Sequence, residues 1–421
     1  MWWRSCRIVV KEGIVTPMAQ TTPPVHIATE PSAVSERLQP FGTTIFAEMT
    51  RLAIEHNAVN LSQGFPDFDG PDAARSAAAA AIAAGHNQYA RTFGVPPLVE
   101  ALAARWTTRT RLPIEPDRMI TVTSGCTEAI AAALFGLTNP GDEVVVFEPF
   151  YDSYRACIAM AGAVPRFVTL RPRDDAFYFD EARLRAAFTS KTRAILLNTP
   201  HNPTGKVFTR AELELIASLC KEHDVIAITD EVYEDLTFDD ALPHISLATL
   251  PGMAGRTVTL SSLGKSFSLT GWKIGWAIAP PRLTAGVRAA HQFLTFATAT
   301  PLQHGAAAIL RDPGDAVTGL VTLLRRNRDD LAAALTRIGL KVYPSPGTYF
   351  IMADHREVSA RLGLADDRAF CRHLIEHAGV AAIPPSVFYA HPEEGRDLVR
   401  FAFCKKPETI AAAITRLEKL G

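Results

Sequence analysis

The sequence predicts an α/β fold in which a large domain with a mostly parallel sheet is joined to a smaller α+β domain. Short apolar segments alternate with helical segments between residues 120 and 261, long helices follow Pro281, and Val342–Cys404 mixes strands with helices. Continuously apolar strands that alternate with helices are typical of a parallel sheet that is covered on both faces. The 421 residues are enough for about two or three domains.

Each element is predicted from its apolar run and from the turn residues that flank it. The predicted strands are Ile120–Thr123, Glu143–Phe147, Ala194–Asn198, Val225–Asp230 and Thr257–Ser261. The helices predicted between them are Thr127–Leu137, Tyr151–Ala161 and Ala211–His223. Further helices are predicted before this region at Glu48–Asn57, Pro71–Ala84 and Pro97–Trp106, and after it at Leu283–Leu310 and Leu320–Ile338.

The domain boundaries follow from changes in this pattern. Residues 1–35 contain a polar, Pro-rich stretch that begins at Met18, so we expect a flexible N-terminal extension and consider Met18 an alternative start. We expect residues 36–62 to form the N-terminal part of the small domain and residues 63–318 to form the large domain. Residues 319–421 would then complete the small domain.

The composition argues against several classes of protein. Lys and Arg number 43 against 44 Asp and Glu, without a basic stripe, so we expect no nucleic-acid partner. No apolar stretch approaches the ~20 residues that span a bilayer, so we expect no membrane association. The six cysteines are scattered, as is typical of reduced thiols in a cytoplasmic protein. His373-Leu374-Ile375-Glu376-His377 matches a zinc-protease pattern but lacks an evident third ligand, and we expect no metal site.

Residues suited to ligand binding follow the predicted strands, where open α/β sheets bind their ligands. They are Gly125, Cys126 and Thr127 after the first strand, Tyr151 after the second, Asn202 after the third, Asp230 and Tyr233 after the fourth, and Lys265 after the fifth. Singly, each has an ordinary explanation: a turn, an aromatic at the sheet edge, a helix cap, an ion pair or a surface lysine. Together, an anion-binding helix N-terminus, an aromatic ring, an acid and a lysine form the set that pyridoxal phosphate requires.

Three motifs carry a resemblance to a known family: Asn202-Pro203-Thr204-Gly205, Asp230-Glu231-Val232-Tyr233 and Ser262-Leu263-Gly264-Lys265. From about Leu38 to its C-terminus, the chain resembles the class I/II aminotransferases, which have the aspartate aminotransferase fold (fold type I of the PLP-dependent transferases). It is similar to the branch that contains kynurenine, glutamine and methionine aminotransferases and cysteine-conjugate β-lyases. Succinyldiaminopimelate aminotransferases look similar over the same span.

The resemblance implies a role for each cofactor-binding residue. Lys265 would bind the cofactor and move the substrate's α-proton, and Asp230 would pair with the pyridinium nitrogen. Tyr233 and Asn202 would hydrogen-bond the phenolic oxygen of the ring, while Tyr151 would stack on the ring. The phosphate would be held by Gly125, Cys126, Thr127, Ser262 and Lys273, the last at a position where many relatives have arginine.

The resemblance also implies a substrate site and a partner. Arg400 would clamp the substrate α-carboxylate with two hydrogen bonds, and Gly64 would offer its backbone to the same group. Tyr89 would reach the phosphate in the partner subunit, which implies a homodimer with composite sites. Ile45 and Phe296 would line the substrate pocket. Kynurenine-preferring relatives carry a bulky aromatic near the position of Ile45, so this stretch is more similar to the methionine-type enzymes.

The expected function is therefore PLP-dependent transamination by a ping-pong mechanism, from an amino acid to a 2-oxo acid. The donor would be methionine, glutamine, an aromatic amino acid or kynurenine, among which the sequence does not choose. Three alternatives stay open. A cysteine-S-conjugate β-lyase shares the early steps, a succinyldiaminopimelate aminotransferase differs in its donor, and a non-catalytic PLP-binding regulator would need a DNA-binding domain that residues 1–35 are too short to supply.

Overall fold

The computed structural model describes residues 33–42 and 45–420. Residues 1–32, which include most of the predicted extension, lie outside the described residues. The described strands are β1 (Val59–Asn60), β2 (Ile120–Ser124), β3 (Glu143–Glu148), β4 (Val164–Thr169), β5 (Arg171–Arg173), β6 (Ala176–Tyr178), β7 (Thr192–Asn198), β8 (Ile226–Asp230), β9 (Thr257–Ser262), β10 (Ile274–Ile278), β11 (Lys341–Val342), β12 (Phe350–Asp354), β13 (Val380–Ala381) and β14 (Leu398–Ala402).

The α-helices agree with most of the predicted segments to within a few residues. They are α1 (Ile45–Glu55), α2 (Asp72–Ala83), α3 (Pro96–Thr110), α4 (Pro116–Met119), α5 (Gly125–Leu137), α6 (Ser153–Met160), α7 (Glu181–Ala187), α8 (Arg210–Glu222), α9 (Leu263–Ser266), α10 (Pro281–Leu294), α11 (Thr300–Arg311), α12 (Ala316–Arg337), α13 (Arg356–Leu362), α14 (Asp367–His373) and α15 (Pro407–Leu417). No helix among the described residues combines the length and the apolar character needed to cross a bilayer.

Seven strands form the main sheet in the order β2-β10-β9-β8-β7-β3-β4. All are parallel to their neighbours except β10, which is antiparallel to both β2 and β9. Successive residues of a strand point to opposite faces. Ile195 and Leu197 of β7 accordingly pack in the same core as α8, whereas Ala194 and Leu196 pack in the core that contains α5 and α10. The predicted, mostly parallel sheet with two covered faces is confirmed.

A second core brings the two ends of the described chain together. The antiparallel sheet β11-β12-β14 and the parallel pair β1-β13 contribute to it, with Val59 opposite Val380. Buried side chains of α1, α12 and α15 complete this core. The arrangement agrees with an α+β unit built from both ends, while the boundaries at residues 62 and 318 stay predictions.

The structure differs from the sequence analysis in two respects. First, the strands β4 and β10 of the main sheet were not predicted. Because β10 is antiparallel, its first residues lie at the same edge as the carboxyl ends of β2 and β9, with Ile274 opposite Ser124. Second, the single helical region predicted at Leu283–Leu310 was wrong, since α10 and α11 are separate helices. Phe296 has a φ of 68° between them, and Pro301 in the first turn of α11 lacks an N–H for a preceding turn.

Candidate active site

A cavity of about 140 Å³ opens at the carboxyl edge of the main sheet. It forms there because β2, β3, β7, β8 and β9 end at this edge and β10 begins at it. Ten of the predicted residues line it: Gly125, Cys126, Thr127, Tyr151, Asn202, Asp230, Tyr233, Ser262, Lys265 and Lys273. The strand-end argument therefore identified residues of one cavity that are up to 140 positions apart (Gly125 and Lys265).

Lys265 lies in the short helix α9, directly after β9, and its side chain lines the cavity. Its ammonium nitrogen Nζ lies 5.8 Å from the ring centroid of Tyr233 and 5.5 Å from that of Tyr349. Desolvation lowers the pKa of Lys265, although the charge of Asp230 acts in the opposite direction. A lowered pKa increases the share of free amine, which is the nucleophilic and proton-accepting form.

Asp230 is buried at the end of β8 and is held by neutral donors. Oδ2 accepts a hydrogen bond of 2.7 Å from the Tyr154 hydroxyl, and Oδ1 accepts one of 3.2 Å from the Val232 backbone N–H. The Cys126 thiol lies 3.6 Å from Oδ1. Desolvation raises the pKa of Asp230. An ion pair within the protein does not explain this buried acid, because no side-chain cation of the described residues lies within 4.0 Å of the carboxylate.

Tyr154 and Asn198 are two polar residues of this cavity that the sequence analysis missed, and Tyr154 is the one that holds the Asp230 carboxylate. It is buried, and its ring packs edge-on against Tyr151 at a centroid distance of 5.6 Å. The spacing from Tyr151 could have identified Tyr154. It follows Tyr151 by three positions in the segment predicted to be helical, and residues three apart share one face of a helix. The pKa of the Tyr154 phenol is raised by burial and by the neighbouring Asp230, so it stays a hydrogen-bond donor.

The opposite end of the cavity presents backbone N–H groups and an ammonium. Gly125 begins α5 with a φ of 74°, and a Cβ added there would lie 3.2 Å from Lys273 Nζ. A Cβ on Gly275 would lie 2.6 Å from the backbone nitrogen of Cys126. Lys273 Nζ also lies 3.4 Å from Thr127 Oγ1. The N-terminus of α5 thus lies beside a lysine, and the two glycines leave space in front of it. Such a site is suited to bind an anionic group.

Arg400 in β14 is almost fully buried beside this cavity. It donates to Asn202 Oδ1 at 3.1 Å and to the Ser62 carbonyl at 3.0 Å, whereas its Nε has no partner in the described part of the chain. Aromatic rings cover the guanidinium carbon, which lies 4.1 Å from the centroid of Phe350 and 4.9 Å from that of Phe388. Desolvation lowers the pKa of Arg400 to about 10. A buried cation with neutral partners is suited to bind a carboxylate.

Besides Arg400, four predicted residues lie outside the cavity lining. The Gly64 carbonyl accepts a hydrogen bond of 2.6 Å from the Tyr349 hydroxyl, which places it near the Ser62 contact of Arg400. Ile45 lines a neighbouring cleft. Tyr89 and Phe296 are 85% and 47% exposed, and their rings meet edge-on at 5.3 Å. The part of the chain that the structure describes contains no group of three side chains arranged to hold a metal ion.

Residues 56–417 match the family described as aminotransferase class I and II. The chain is 40% identical to the methionine aminotransferase of Escherichia coli, with 93% of this chain and 99% of that protein covered. It is 39% identical to human kynurenine–oxoglutarate transaminase 1, with 91% and 97% covered. A solved structure of N-succinyldiaminopimelate aminotransferase from Mycobacterium tuberculosis superposes with a TM-score of 0.89 at 48% identity, covering 92% of this chain and all of that one.

Proposed function

Because this chain belongs to the class I and II aminotransferases, we propose that it holds pyridoxal phosphate in the cavity around Lys265. Aminotransferases move an amino group between an amino acid and a 2-oxo acid, and this family depends on pyridoxal phosphate. The observation that carries the proposal is the single cavity that unites Lys265, Asp230 and the anion-binding end at Gly125.

The residues present fit the cofactor. The N-terminus of α5 and Lys273 would hold the phosphate, and the glycines at 125 and 275 leave the room that this group needs. Asp230 would face the ring nitrogen, and Tyr151 lines the cavity where a planar ring would stack. Tyr233 and Asn202 would hydrogen-bond the phenolic oxygen. The substitution of lysine for arginine at position 273 keeps the charge and loses the planar fork.

Each residue then has a physical task. When bound, pyridoxal phosphate supplies the electron sink that makes the Cα–H bond of an attached amino acid acidic. Lys265, whose pKa is lowered by burial, accepts that proton and later returns one. Asp230, fixed by the Tyr154 hydroxyl, would pair with the ring nitrogen of the bound cofactor. Arg400 holds the α-carboxylate and so orients the substrate's Cα–H bond.

We further propose that the chain works as a homodimer. Tyr89 and Phe293 are 85% and 86% exposed, and Leu294 and Phe296, which follow Phe293 in the chain, are also exposed. The ring of Phe296 meets that of Tyr89. Large exposed apolar patches on soluble proteins mark interaction sites. In such a dimer, Tyr89 would reach the phosphate in the partner subunit.

The test is an absorbance spectrum of the protein with pyridoxal phosphate, followed by addition of methionine without an oxo acid. We expect a visible band that disappears on addition of methionine, together with release of the corresponding 2-oxo acid. The Lys265→Ala variant is the control and should show neither change. Pyruvate release from a cysteine S-conjugate without transamination would favour the β-lyase instead. A wild-type protein without a band would contradict the cofactor proposal.

A further inference from the structure

A second cavity, of about 610 Å³, adjoins the one around Lys265. Tyr151 lines both, and Phe388, which lies 4.9 Å from the guanidinium of Arg400, lines the second one. The second cavity, here called the outer cleft, therefore begins where a substrate held by Arg400 would project its side chain. Its volume equals that of about 20 water molecules, far more than a methionine side chain fills, and lies within the ~300–1,000 Å³ typical of ligand sites.

Two arginines line the outer cleft without a carboxylate partner. Arg155 projects from α6, and its guanidinium carbon lies 5.6 Å from the ring centroid of Phe41 and 5.8 Å from that of Phe150. Contact with two aromatic faces orients a guanidinium and leaves its in-plane N–H donors available. Arg368 projects from α14 on the same cleft. Across residues 33–42 and 45–420, neither arginine has an ion pair or a side-chain hydrogen bond.

The two carboxylates that line the outer cleft interact with arginines other than Arg155 and Arg368. Among its described lining residues, the carboxylates are Glu48 and Asp152. Glu48 lies 3.8 Å from Arg372, a cation that does not line the cleft. Asp152 interacts with the charge of Arg400, and burial raises its pKa. Neither carboxylate lies within 4.0 Å of the guanidinium of Arg155 or Arg368 in the described part of the chain.

We propose that Arg155 and Arg368 bind the far carboxylate of an extended α-amino dicarboxylic acid, while Arg400 binds its α-carboxylate. The inference rests on the proposed function and specifies its substrate class: a donor whose side chain is long, flexible and negatively charged at its end. Guanidinium groups bind carboxylates through pairs of charge-assisted hydrogen bonds. A neutral donor such as methionine would leave both arginines and most of the cleft to water.

The experiment compares donors of increasing length in the half-reaction of the holoenzyme. The series is glutamate, 2-aminoadipate, 2-aminopimelate and 2-aminosuberate, with methionine and 2-aminooctanoate as neutral references. We expect kcat/KM to rise along the acidic series and to exceed that of 2-aminooctanoate at least tenfold for the longest acids. Calorimetric binding of suberate, which does not react, should likewise be tighter than that of octanoate.

Variants of the two arginines distinguish a role in binding the substrate from a role in maintaining the structure. Arg155→Met and Arg368→Met should each reduce kcat/KM for the long acids by about tenfold to a hundredfold, the range expected for a lost hydrogen bond to a charged group. The loss should appear mainly in KM and should lower the ratio of acidic to neutral turnover. Arg155→Lys should recover part of it. Arg326→Met, at an exposed pair on α12, is the matched control and should leave the ratio unchanged.

Three results would overturn the inference. Equal losses on acidic and neutral donors would assign the arginines a structural role. A wild-type protein that converts methionine but gains nothing from a far carboxylate would contradict the inference and leave the proposed function intact. A protein that binds pyridoxal phosphate but changes its spectrum with no donor would contradict both.

Discussion

At the scale of residues, Asp230 shows how a buried acid is held without a cation. The Tyr154 hydroxyl and the Val232 backbone N–H each donate to one of its carboxylate oxygens, at 2.7 Å and 3.2 Å. Desolvation nevertheless raises the pKa of the carboxyl. Removal of a hydrogen-bond donor would therefore raise the pKa of Asp230 further. Within the described residues, Tyr154 is the only side-chain hydroxyl that donates to this carboxylate.

We predict that Tyr154→Phe weakens the binding of pyridoxal phosphate by about tenfold or more. Loss of a hydrogen bond to a charged group costs about 1.5–3 kcal/mol, and the pKa of Asp230 would rise further, so that less of its charge would face the ring nitrogen. Absorbance titration of the apoprotein with the cofactor measures this affinity. Tyr178→Phe, at a more exposed tyrosine in β6, is the control. Equal affinities in the two variants would contradict the prediction.

The residues that line the cavity could be predicted because strand ends are visible in the sequence. An apolar run followed by Gly, Asn, Asp or Lys marks both a strand end and a functional group. Arg155 and Arg368 could not be predicted in this way, because an arginine in a helical segment is normally a solvated surface residue. Their proposed role depends on the lack of an ion-pair partner within the described residues, which only the folded structure reveals.

At the scale of elements, the close crossing of α5 and α10 supports the anion-binding end of the cavity. A Cβ on Gly136 would lie 2.0 Å from the carbonyl oxygen of Gly286, and a Cβ on Gly286 would lie 2.6 Å from that of Gly136. Backbone atoms cannot move aside as a flexible side chain can. Any side chain at this crossing would therefore displace α5, whose first residue is Gly125.

We predict that Gly286→Ala lowers the free energy of unfolding by about 1–3 kcal/mol and also weakens binding of pyridoxal phosphate. Thermal unfolding of the apoprotein and a cofactor titration measure the two effects. Gly319→Ala, in α12, is the matched control because a Cβ there meets no atom within 4 Å. It should stabilise its helix by about 0.5–1 kcal/mol. An equally stable Gly286→Ala variant would show that the crossing is not tightly constrained.

The sequence predicted most elements of the main sheet but not their directions. Local apolar runs identify a strand, whereas its orientation depends on where the chain enters the sheet. The antiparallel β10 illustrates this: the segment from Ser262 to Lys273 leaves the sheet and returns at the same edge. The break between α10 and α11 was missed because Thr295–Ala299 carries no Gly or Pro, although Pro301, two residues after it, is a signal for the start of a helix.

At the scale of the whole molecule, substitutions in the exposed aromatic surface around Phe293 and Tyr89 can test the proposed homodimer. We predict that Phe293→Asp converts the dimer into monomers, because an unpaired charge at the centre of an apolar interface is costly to bury. Cofactor affinity should fall as well, since Tyr89 would no longer reach the partner's phosphate. Sedimentation velocity measures the assembly. Leu362→Asp, at an exposed leucine of α13, should stay dimeric; a dimeric Phe293→Asp would place the interface elsewhere.

Because the two ends of the described chain pack together, the cofactor cavity and the substrate-binding arginine are synthesised at different times. Every described residue that lines the cofactor cavity lies between Gly125 and Ile274, whereas the Arg400 guanidinium donates to the Ser62 carbonyl across 338 residues. At about 5–20 residues per second, a ribosome needs on the order of ten seconds to extend the chain from Lys273 to Arg400. A nascent chain thus contains all the cavity-lining residues before it contains the arginine proposed to hold the substrate carboxylate, so the cofactor cavity is complete in sequence first.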